Sequence, residues 1–184
     1  MATMSKRACT VAGVSIHVQP SALGMLVGYP ICGLAAYVTH LTAAELGVVH
    51  LSELDPLWFV VLFAGGYFAL QLIHELGHVL AFRTCGLRWT SFAIAGSRLS
   101  VGATGNRTWA AQLLISPAGP MIQAAAGGAL LLAHDHWSHA WMLGAVGCLE
   151  GMANLLLPLG RNSDAVKTYR SLWAVIRGRA RDLV

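Results

Sequence analysis

Four segments of this 184-residue chain, 22–40, 57–82, 109–132 and 137–159, are nearly unbroken apolar runs. The hydrocarbon core of a bilayer is about 30 Å thick, and a helix needs about 20 residues to cross it. Each run is close to that length. The chain is 56% hydrophobic and only 11% charged, where a soluble domain carries about 25% charged residues. A water-soluble fold of this size has too little interior to hide so much apolar surface. The sequence therefore predicts an all-α polytopic membrane protein with four transmembrane helices. The first run starts too late, and is too poorly followed by a cleavage site, to read as a signal peptide, so it counts as a span.

The placement of charge orients these spans. Lys6 and Arg7 precede the first, and Arg83, Arg88, Arg98 and Arg107 lie between the second and third. Arg161, Lys167, Arg170, Arg177, Arg179 and Arg181 follow the fourth. The other two loops hold Glu45, Glu53, Asp55 and Asp135 and no basic residue. All 12 basic residues thus fall on one side, which predicts a multi-pass protein of the cell membrane with both termini in the cytoplasm. The net charge of +4 is accounted for by orientation, and no nucleic-acid partner is expected. Cys9, Cys32, Cys85 and Cys148 lack paired spacing, which argues against a disulfide framework.

Residues 1–184 are expected to form a single domain, without repeats or linkers. Val14, Ile16 and Val18 alternate with polar residues, as in a short strand. Residues 86–103 are β-branched and aromatic around Ala95-Gly96-Ser97, which predicts a small β-hairpin between the second and third spans. Ser163 followed by Tyr169, Leu172, Trp173 and Ile176 predicts a short, capped, amphipathic helix on the cytoplasmic membrane surface.

The chemistry of the chain concentrates in His74-Glu75-Leu76-Gly77-His78. Positions i and i+4 of a helix face the same way, so both imidazoles can bind one metal ion. Zinc suits such a site, and the intervening Glu75 is placed to act as general base towards a water polarised there. Inserting ionisable groups into an apolar span is expensive, about 2.5–3.5 kcal/mol for a charged side chain at mid-membrane. A purely structural helix gains nothing that offsets this cost. Catalytic zinc takes a third protein ligand and leaves one position open. Glu150, inside the fourth span, and Asp164, just beyond it, are the candidates. His134, His136 and His139 fall at the opposite membrane face.

Together these residues resemble the site-2 protease family of intramembrane zinc metalloproteases. The likeness rests on the histidine motif within a span, the hairpin-like segment after it, and Asn154…Pro158…Asp164. Gly13–Val18 before Pro20-Ser21, Gly86, and Ser116-Pro117-Ala118-Gly119-Pro120 are similar to further family elements. The resemblance implies one zinc ion held by His74, His78 and Asp164, with Glu75 catalytic and Asn154 near the site, positioning substrate. Glu150 stays as the alternative ligand. The family usually has Asn-x-x-Pro and Asp-Gly, where this chain has Asn154-Leu-Leu-Leu-Pro158 and Asp164-Ala165. The implied activity is hydrolysis of peptide bonds in or beside transmembrane segments of other proteins, with a regulatory membrane partner as a further expectation. The alternative is a catalytically inactive zinc-binding adaptor or regulator of the same fold.

Overall fold

Long helices dominate because the apolar runs leave backbone polar groups no partner but one another. A computed structural model describes residues 6–48, 55–96, 98–133, 140–158, 160 and 163–179. Strands β1 (Lys6–Val11) and β2 (Val14–Val18) precede a 3₁₀ turn and helix α1 (Leu23–Glu45). Helix α2 (Pro56–Thr84) leads into β3 (Arg88–Ala95) and β4 (Arg98–Thr104), and α3 (Trp109–Leu132), α4 (Ala140–Leu156) and α5 (Asp164–Ile176) follow.

Local signals set the helix boundaries. The Asp55 carboxylate accepts the Leu57 amide at 2.8 Å ahead of Pro56, capping the N-terminus of α2. Thr108 caps α3 and Ser163 caps α5 in the same way. Among the described residues, three helices (α1 with the turn before it, α2 and α3) are long and apolar enough to cross a membrane. Helix α4 is apolar but has 17 residues where 137–159 was expected, and its start adjoins residues outside the description. His134, His136 and His139 lie outside it too.

The β structure exceeds the expected hairpin. Four strands form one sheet in the order β1-β2-β3-β4. The hairpin β3–β4 is antiparallel, with Phe92 opposite Val101. Strand β2 adds to it in parallel, Ile16 beside Phe92, and β1 folds back on β2. The Gln19 amide donates to the Ile94 carbonyl at 3.0 Å, and the Gly96 amide to Ser21 Oγ at 3.0 Å, tying the lead segment to the hairpin.

Helices α3 and α4 meet through small residues. A Cβ on Gly151 would stand 2.7 Å from the Pro120 carbonyl oxygen, and one on Gly144 2.7 Å from the Leu131 nitrogen. Such close approach substitutes for the hydrophobic drive that lipid removes. Phe59, Phe63, Leu70, Met142 and Leu143 fill the core between α2 and α4, while Phe82, Leu87 and Ile115 fill the end nearest the sheet. The outer faces of α1 and α2 leave Leu26, Val27, Ile31, Trp58 and Leu72 exposed, as suits lipid contact.

Candidate metal centre

His74 and His78 sit one helical turn apart on the sheet-ward half of α2, 6% and 8% exposed. Their ring centroids are 5.0 Å apart. Each ring is fixed from behind by α3. His78 Nδ1 meets the Ile115 carbonyl oxygen at 2.8 Å, and His74 Nδ1 meets Gln123 Oε1 at 2.7 Å. A carbonyl can only accept, so each Nδ1 carries the ring proton and donates it. The lone pair of each Nε2 is left facing inward, and the two Nε2 atoms approach to 3.2 Å.

Asp164 closes the group. As the first residue of α5 behind the Ser163 cap, it brings Oδ2 to 3.3 Å from His74 Nε2 and 3.4 Å from His78 Nε2. Its other oxygen takes a charged hydrogen bond from Lys167 Nζ at 3.3 Å. Burial opposes ionisation of this carboxyl. The charge of Lys167 beside it favours the ionised form.

Ligand atoms of His74, His78 and Asp164 all lie within 4.8 Å of one another. Two inward lone pairs and a carboxylate repel unless a cation sits among them. Two imidazoles and one carboxylate, each oriented by a second partner, fit zinc with a position left open.

Helix α3 reaches this face only because it carries Gly119. A Cβ there would lie 2.5 Å from His78 Nε2 and 2.9 Å from His74 Cδ2. Gly77, inside the motif, plays the reciprocal part, since its Cβ would meet the Ala118 carbonyl at 2.6 Å. Glu75 is half-buried beside β4, where the Val101 backbone hydrogen-bonds its carboxylate.

The remaining candidates stand apart from the triad. Glu150 on α4 accepts hydrogen bonds from Tyr67 at 3.1 Å, Gln71 at 2.9 Å and Gln123 at 3.0 Å. It therefore stands one residue behind His74, and the convergent group contains Asp164 in its place. Asn154 is half-buried on α4 and makes no side-chain hydrogen bond among the described residues. Sequence reasoning passed over Gln123, Gln71 and Tyr67. The available signal was the presence of two amides inside apolar spans, where an unpaired polar group is costly.

The fold has a known counterpart. It is similar to the solved structure of the Site-2 Protease from Methanocaldococcus jannaschii, with a TM-score of 0.60 and 17% sequence identity. The match covers 93% of this chain and 72% of that one. At that identity the likeness speaks for the fold. No known family profile matches this sequence, and no curated protein does.

Proposed function

We propose that this chain is an intramembrane zinc metalloprotease that hydrolyses peptide bonds in or next to transmembrane segments of other membrane proteins. The observation that carries the proposal is the convergence of Asp164 Oδ2 with His74 Nε2 and His78 Nε2, the two histidines flanking Glu75 on a helix long and apolar enough to cross a bilayer. The fold of a site-2 protease supports it.

Zinc, when bound, polarises the peptide carbonyl and lowers the pKa of an attacking water towards about 7. His74, His78 and Asp164 would hold the ion, with the two rings locked in one tautomer by Gln123 and Ile115. Glu75 accepts the proton of the water as its oxygen bonds to the carbonyl carbon. It then returns a proton to the amine as the C–N bond breaks. Asn154 positions the substrate near the site. A helical substrate shields its carbonyls with its own hydrogen bonds, so the segment to be cut must first unwind.

Residues 1–184 act as a single domain of the cell membrane, with α4 as a fourth crossing and both termini in the cytoplasm. A regulatory membrane partner belongs to the same proposal. The test is a Glu75→Gln variant in proteoliposomes, assayed for zinc content and for cleavage of labelled single-span peptides. Retained zinc with hydrolysis abolished is the expected result, and undiminished turnover would sink the mechanism.

A further inference from the structure

Glu150 takes no part in the chemistry above, yet it ends a hydrogen-bonded chain that begins at His74. Gln123 is the link. It is fully buried on α3, its carbonyl oxygen 2.7 Å from His74 Nδ1 and its amide nitrogen 3.0 Å from Glu150 Oε2. Gln71 donates to the same Oε2 at 2.9 Å, and the Tyr67 hydroxyl donates to Oε1 at 3.1 Å.

A primary amide has one accepting end and one donating end. Held by an acceptor on α4, Gln123 must turn its nitrogen to Glu150 and its oxygen to His74. Without that anchor the amide is free to flip and present N–H to the ring. His74 would then keep its lone pair on Nδ1 and carry its proton on Nε2, where the ion must bind. The charge of residue 150 is not what matters. A glutamine there can place its own oxygen towards Gln71 and Gln123 and donate to Tyr67, whose hydroxyl turns to accept.

We infer that Glu150 is a positioning residue for the metal centre. Acting through Gln123, it fixes the Nδ1–H tautomer of His74 and so presents Nε2 to the ion. This rests on the metal-binding reading above and adds a residue from α4 to a centre otherwise built from α2, α3 and α5.

The experiment uses the full chain in detergent with ¹⁵N-labelled histidine, as wild type, Glu150→Leu, Glu150→Gln and Gln123→Leu. Ring ¹⁵N shifts of His74 in the metal-free protein give the tautomer, and competition with a chromophoric chelator gives zinc affinity. Wild type and Glu150→Gln should hold the proton on Nδ1 and bind zinc alike. Glu150→Leu and Gln123→Leu should show mixed tautomers and lose roughly 10- to 100-fold in zinc affinity, the usual cost of losing a ligand's supporting hydrogen bond. Zinc bound equally well by Glu150→Leu, or lost equally in Glu150→Gln, overturns the role of Glu150. A proton found on Nε2 of His74 in metal-free wild type overturns it too, whether or not any variant folds. Failure of folded wild type to take up zinc at all would instead overturn the metal-binding reading itself.

Discussion

His74 and His78 are held by donors and acceptors that are themselves held, so single substitutions around them should act on metal affinity before they act on the fold. Replacing both histidines by alanine should abolish zinc uptake, as metal analysis of the purified protein would register. Gly119→Ala is the subtler case. Its added methyl would fall 2.5 Å from His78 Nε2, so the rings must move or α3 must retreat. Zinc affinity should fall at least about tenfold, the scale seen when the support of a ligand is disturbed, while the folded state survives. Unchanged affinity in a chelator titration would mean that the rings have more room than their contacts indicate. At this scale the sequence was unevenly informative. The spacing of His74 and His78 on one helical face is a property of the helix alone and could be read directly. The pairing of Gln123 with Glu150 joins residues on different helices, and nothing local distinguishes either from an isolated polar residue in a span.

Among the elements, α5 has the most to do for its size. It packs mainly on α3, buries Ala165, Ser171 and Ala174 and carries Asp164 in its first turn. Ser163 Oγ accepts the Val166 amide at 3.4 Å and defines where that turn begins. Removing the cap with Ser163→Ala should cost about 1 kcal/mol of helix stability. It should also weaken zinc binding by letting Asp164 fray away from the histidines. Ser163→Asp supplies an equivalent acceptor and should restore both, a comparison that calorimetric titration with zinc can make. The cap, the hairpin and the strand around Ile16 were legible because each depends on neighbours in sequence. Strand β1 and the parallel pairing of β2 with β3 were not. Lys6–Val11 shows no alternation of its own, and parallel register is set by partners dozens of residues away. The four-stranded sheet in place of a bare hairpin follows from those non-local bonds.

For the molecule as a whole, an ion held by His74, His78 and Asp164 would join a long apolar helix to a short peripheral one, so metal removal should be felt globally. Stripping zinc with a chelator should lower the thermal unfolding temperature. Restoring it at 100-fold excess over its dissociation constant should return about 2.7 kcal/mol. A melting curve indifferent to zinc would show that α2 and α5 do not depend on the ion for their docking. Apolar helices were readable from composition, and three described helices have the length and apolarity to cross a membrane. The division of ligands between helices has a consequence of its own. His74 and His78 are committed to α2, whereas Asp164 reaches them on a short helix packed mainly on α3. The centre is therefore built as a latch. Displacing α5 by the width of one side chain would withdraw the carboxylate and leave both imidazoles in place, so metal affinity would be lost with α2 and α3 still folded.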